Sequence, residues 1–213
     1  MTASAPVVTI SASYGAGGSV VGPQVAELLG VPFFDRAIPL DVARHLAVPL
    51  EEALAHDERC EGVLGRLLAS FAQAPVAAAG WQPVPVPDGR EFKDEAERVI
   101  QEHAHDGAVI LGRAAALVLA EHPRALHVRL DGPTDARIAQ AARVRGLDES
   151  EARDRQQDAD RARIAYVKHF YHADPADPRH YHVLLDSTVI DFDTCAQLVA
   201  SAAQARLATS ALA

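Results

Sequence analysis

Residues 7 to 22, VVTISASYGAGGSVVG, constrain this chain more than any other stretch. Val7-Val8-Thr9-Ile10 is a β-branched apolar run, the pattern of a buried strand. Tyr14-Gly15-Ala16-Gly17-Gly18 then interrupts it, and Val20, Val21, Val25 and Ala26 resume at the spacing of one helix face. A strand that gives way to glycines and restarts as a helix makes an anion site. Glycine permits positive φ and close backbone approach, and the helix start contributes N–H groups with partial positive charge. A di- or triphosphate is the natural guest. Two stricter patterns fail here: GxxxxGK[ST] needs a lysine where Gly18 stands, and GxGxxG is broken at Val20. An ordinary βα turn is the plain alternative, and the loop alone indicates phosphate rather than a reaction.

At 213 residues the chain suits one α/β domain with small inserts and a sizeable core. Its formal net charge of −9 argues against a general nucleic-acid binder, which needs a basic surface to neutralise phosphates. Cys60 and Cys195 lie far apart with no CxxC or Cys/His ligand spacing, so both are expected as small buried residues. The start lacks the basic residues of a targeting segment, and Val7 to Ile10 is too short for a signal core or a membrane span. A bacterial-type cytosol and no membrane partner are the expectation.

Further along, Val31-Pro32-Phe33-Phe34-Asp35-Arg36 predicts a short strand presenting Asp35 and Arg36 at its C-terminal edge, where open α/β sheets bind ligands. Asp35 also suits the N-cap of a helix beginning near Ala37. Residues 38–56 and 61–73 look helical. Residues 74–90, APVAAAGWQPVPVPDGR, carry too many prolines for a helix or central strand and predict a surface loop or flap around Trp81, which is expected to pin it to the core. A helix over 92–105 leads to the apolar strand Ala108-Val109-Ile110-Leu111-Gly112. Arg113 follows at once, where a guanidinium is costly unless it meets a carboxylate or phosphate. Residues 114–119 read as a helix, 125–130 as a strand and 133–145 as a helix opened by Pro133. Residues 148–172 are densely charged, a solvated helical face that also gathers Arg153, Arg155, Arg161, Arg163 and Lys168. A proline-bearing hinge at 173–180, a strand at 181–186 and a helix at 192–207 complete an alternation that predicts a parallel sheet covered on both sides. The spacing of His169, His172, His180 and His182 matches no metal-ligand signature, so no protein metal site is expected.

In order, ISASYGAGGSVVG, PFFDR, ILGRAAALVL, HVRLDGPTDARI, DADRARIAYVKHFYHAD and YHVLLDST resemble the cytidylate kinase-like family of P-loop nucleoside monophosphate kinases. The resemblance spans nearly the whole chain. It implies a three-layer α/β/α P-loop kinase fold with a five-stranded parallel sheet. It also implies one domain: a core of 1–36, 91–147 and 178–213, an NMP-binding insert at about 37–90 and a helical lid at about 148–177. The implied activity is phosphoryl transfer from ATP, with Mg²⁺, to a pyrimidine nucleoside monophosphate such as CMP or dCMP. On that likeness Tyr14, Gly15, Ala16, Gly17, Gly18 and Ser19 hold ATP phosphates. Asp35, Arg36, Arg113 and Asp160 face the acceptor nucleotide, and Arg113, Arg161 and Arg163 supply charge to the transferring group.

The chain departs from the family pattern at charged positions. Gly18 replaces the loop lysine, Ala114 stands where an acidic residue commonly follows the arginine, and Gln156-Gln157 replaces an Arg-Asp pair. Because phosphoryl transfer relies on positioning and charge neutralisation, two further readings follow. One is a nucleotide-binding sensor or pseudokinase; the other is a kinase of a different small acceptor, its pocket reshaped by the flap around Trp81. Nucleotides are the expected partners in all three, and oligomeric state is left open.

Overall fold

The computed structural model describes residues 5–35, 89–112 and 114–210. Among them five strands, β1 (Val7–Ala12), β2 (Phe33–Phe34), β3 (Ala108–Leu111), β4 (Ala125–Asp131) and β5 (Val183–Asp186), form one sheet. Its order is β2-β3-β1-β4-β5 and every neighbouring pair is parallel. β1 therefore sits at the centre, with Val7 in register with Ala108 on one side and Ala125 on the other. That position explains its composition, since a central parallel strand is covered on both faces.

The described helices are α1 (Gly18–Leu29), α2 (Gly89–Asp106), α3 (Ala115–Val118), α4 (Thr134–Arg145), α5 (Glu149–Tyr171) and α6 (Phe192–Ser210), with a 3₁₀ turn at Pro178–His180. Alternate residues of β1 feed two separate cores. Val8, Ile10 and Ala12 pack with Val21 and Val25 of α1 and with Cys195 and Val199 of α6. Val7 packs with Val99 and Ile100 of α2 on the other side. The result is the expected three-layer α/β/α arrangement.

Several boundaries differ from expectation. β2 pairs over two residues only, so Asp35 lies just past the strand at the C-terminal sheet edge. Gly89 and Arg90, expected in the flap, form the first turn of α2; no proline follows Pro87 to prevent it. α3 is a single turn because Ala114 enters it with φ 55°, in the left-handed region, and Leu119 leaves the helical region. β5 starts at Val183 because Tyr181 closes the 3₁₀ turn. Arg36, the predicted helices over 38–73, Trp81 and its flap, Cys60 and Arg113 lie outside the described residues.

One face of β4 carries polar residues into the interior. His127 is buried, with its Nδ1 2.8 Å from the Thr9 hydroxyl and its ring stacked on His182 at 4.8 Å. Burial, aided by the neighbouring His182, lowers its pKa to about 4, so at neutral pH it is an uncharged part of the packing. Arg129 and Asp131 follow on the same face, toward the C-terminal sheet edge.

Candidate phosphate-binding site

The β1–α1 loop is built from the inside out. Every backbone carbonyl from Ser13 to Gly17 accepts a hydrogen bond from the protein. Ala16 N–H donates to Ser13 O, an Arg137 N–H to Tyr14 O at 2.6 Å and Gln140 Nε2 to Gly15 O at 2.8 Å. The Ser187 hydroxyl donates to Ala16 O at 2.8 Å, and the amides of Val20 and Val21 donate to Gly17 O. With its carbonyls committed to the surrounding protein, and its Tyr14 and Ala16 amides bonded to Asp160 and Ser13 O, the turn runs into the first residues of α1. There the helix start leaves the Gly18 and Ser19 N–H groups without intrahelical acceptors. A helix start of this kind favours an anion.

The glycines make this turn possible. Gly15 and Gly17 hold φ of 81° and 75°, a region costly for other residues. A Cβ on Gly15 would lie 2.1 Å from Arg137 O, and one on Gly17 would lie 2.2 Å from the Phe192 ring. Gly18 is closed off differently: a Cβ there would sit 2.6 Å from Ala12 Cβ and 2.9 Å from Leu111 Cδ1. The absence of a lysine at position 18 is therefore built into the packing of β1 and β3, which leave no space for any side chain.

Two buried arginines brace the loop from outside. Arg137, 5% exposed, donates to Gly132 O, Tyr14 O, the Thr134 hydroxyl and Asp160 Oδ2. Arg129, 8% exposed, donates to the Ser13 hydroxyl, to Pro175 O and to Asp131 Oδ2 at 2.7 Å. Burial alone would push the Asp131 carboxyl up, but the Arg129 guanidinium outweighs it and holds the group below the usual carboxylate range. These ion pairs compensate charges that would be costly to bury alone.

Beside the loop, at the C-terminal ends of β1 and β3, a cleft is lined by Ile10, Ser11, Gly112, the residues 114–117, Arg163, Val167, Pro175, His180 and Tyr181. α5 closes one side. Its Tyr166 and Val167 pack with Leu117, and its Asp160 reaches the loop, where it accepts the Tyr14 N–H at 2.9 Å.

This loop lies beside an arginine-bearing helix at the C-terminal edge of the sheet. The model of the cytidylate kinase-like family matches residues 7–189. The chain belongs to the cytidylate kinase-like family. One relative, the cytidylate kinase of Methanopyrus kandleri, is 33% identical over an alignment 110 residues long that covers 47% of this chain and 57% of that protein. The chain thus matches a little over half the length of that curated relative. Among solved structures, an uncharacterized protein from Eubacterium ventriosum superposes with a TM-score of 0.64 at 17% identity, covering 93% of this chain and 98% of that one. Shikimate kinase from Acinetobacter baumannii, in complex with shikimate, gives a TM-score of 0.51 at 15% identity, with 95% of each chain covered. At these identities the structural likeness concerns the fold.

In this cytidylate kinase-like chain the residues singled out from sequence separate into groups. Tyr14 to Gly17 form the loop and Gly18 and Ser19 open α1, with Tyr14 and Gly18 buried and Ser19 exposed. Arg163 lines the cleft and donates to Asp160 Oδ1 at 3.0 Å, whereas Arg161, two residues earlier on α5, is exposed. Asp35 stands at the sheet edge two strands away from β1. Sequence reasoning missed Arg129, Arg137, Gln140 and Ser187. Arg129 did carry a signal, as a charge inside the otherwise apolar run of β4. The other three reach loop carbonyls from far along the chain, and no local spacing reveals that.

Proposed function

We propose that this chain transfers the γ-phosphoryl group of ATP to a pyrimidine nucleoside monophosphate, CMP or dCMP, giving the diphosphate and ADP. The observation that carries the reading is the pairing of an amide-presenting loop with Arg163 on an adjacent helix, at the C-terminal edge of a parallel sheet. Family membership and a relative named cytidylate kinase support the acceptor class. In this reading residues 37–90 form the acceptor-binding insert and 148–177 the lid. Tyr14 to Ser19 hold the ATP phosphates, and Arg36 and Arg113 grip the acceptor with Asp35 beside them. Arg163, and Arg161 on closure, neutralise charge on the transferring group.

The described carboxylates nearest the loop do not fit a protein-held Mg²⁺. Asp131 is committed to Arg129 and Arg137, and Asp160 to Arg137 and Arg163. No group of three His, Cys, Asp or Glu among the described residues could hold a metal. Mg²⁺ arriving with ATP would be held by the nucleotide's own phosphates and water.

The packing around Gly18 favours a second reading, a sensor that binds nucleotide with little turnover, because no lysine can enter the loop. A coupled ADP assay over a panel of NMPs and dNMPs separates the two. Acceptor-dependent ADP release, falling by roughly 10³-fold in Arg163→Ala, supports the kinase. Calorimetric binding of ATP without acceptor-dependent release supports the sensor.

A further inference from the structure

We propose that Asp160 is a positioning residue that ties the phosphate loop to Arg163, and not a contact to the acceptor nucleotide; this rests on the phosphoryl-transfer reading of the site. The two carboxylate oxygens receive four donors. Oδ1 accepts the Tyr14 N–H at 2.9 Å and an Arg163 N–H at 3.0 Å. Oδ2 accepts an Arg137 N–H at 2.9 Å and the Gln156 Nε2 at 2.9 Å. An ionised carboxylate offers about four lone-pair sites, so all are spent within the protein and none is left for a sugar hydroxyl or a base. The side chain is 18% exposed, so water offers only a partial substitute for a lost partner.

The identity of the donors defines the role. One comes from the phosphate loop, one from α4, and two from α5 itself, one of these being the arginine that faces the cleft. A single Arg137 nitrogen donates both to Tyr14 O and to Asp160 Oδ2, so the Tyr14 backbone is held through its carbonyl and its amide by partners that hold each other. Bonds to charged groups are stronger than neutral ones. Asp160 thereby presets the entry of the loop and aims Arg163 over it. Without this carboxylate the loop start loosens and Arg163 keeps its charge but loses the bond that ties it to the loop. A misplacement of about 1 Å at a reacting centre costs roughly 10²-fold in rate.

The test compares wild type, Asp160→Asn, Arg163→Ala and the double variant by steady-state kinetics and by hydrogen exchange of backbone amides. The expected kinetic result for Asp160→Asn is a kcat lower by about 10- to 100-fold with the acceptor KM within about threefold. Added to Arg163→Ala, the same change has little further effect, because the two act as a unit. Exchange at residues 13–19 rises by at least about tenfold while the amides of β1 and β4 keep their protection. A raised acceptor KM with unchanged loop exchange overturns the proposal, since Asp160 would then be an acceptor contact. A uniform rise in exchange across the sheet overturns it too, showing a purely structural role. If the wild type transfers phosphate to no acceptor, the kinase reading fails by itself, and loop exchange still decides whether Asp160 ties the loop. Should Asp160→Asn not fold, Asp160→Glu, which keeps the charge one methylene further out, replaces it with the same expected directions and the same overturning results.

Discussion

The β1–α1 loop and α5 are both rich in hydrogen bonds, yet they spend them differently. In the loop, partners come from α4, β4 and the segment after β5, more than a hundred residues away in several cases, and they are buried. Along α5 most charges pair with a residue one turn away or point to solvent, as Arg155 does with Glu151. Arg153 instead reaches Asp135 of α4, and Asp160 and Arg163 turn toward the loop and cleft. The difference teaches where function is invested. A binding loop must be over-determined to keep its amides aimed at a ligand, while a helix beside it needs only a few directed side chains on a solvated scaffold.

Replacing the buried brace should break this contrast most severely. Arg137→Ala removes one of the four donors to Asp160 and a side-chain donor to each of two backbone carbonyls, and removing one partner of a buried pair costs about 3 to 5 kcal/mol. Denaturant unfolding is expected to show a loss of that size. Next, Gly15→Ala forces a left-handed φ on alanine and drives a methyl into Arg137 O, for a loss of about 3 kcal/mol with ATP binding abolished in calorimetry. Gly18→Lys sharpens the same point from the opposite direction. A lysine that would complete the common phosphate-loop pattern instead overpacks Ala12 and Leu111, costing about 2 kcal/mol and lowering nucleotide affinity. At the small end, Arg155→Ala on the exposed face of α5 should change thermal stability by less than about 0.5 kcal/mol and leave activity intact.

The contrast also marks what the chain reveals before it is folded. β1, β4, α1 and α4 were legible because β-branched runs, glycines and helix periodicity are local patterns. The turn itself was legible for the same reason, since Tyr14 to Gly17 sit between a strand and a helix. The bracing of that loop was hidden, because Arg137, Gln140 and Ser187 meet it only after the strands order themselves. Gly18 shows the limit clearly. Its lack of a lysine reads as a missing charge in the sequence, and only the approach of Ala12 and Leu111 shows it as a filled space. Asp160 is similar: its place on a charged helix was legible, but the four donors that saturate it were not.

The most direct test of the central claim is to follow the backbone amide resonances of residues 13–20 by NMR while ATP with Mg²⁺ is added. If the loop grips a polyphosphate through its amides alone, the Gly15, Gly17, Gly18 and Ser19 resonances shift saturably and together, and the shifts vanish in Gly15→Ala. ATP binding that leaves those four resonances unmoved would contradict the account.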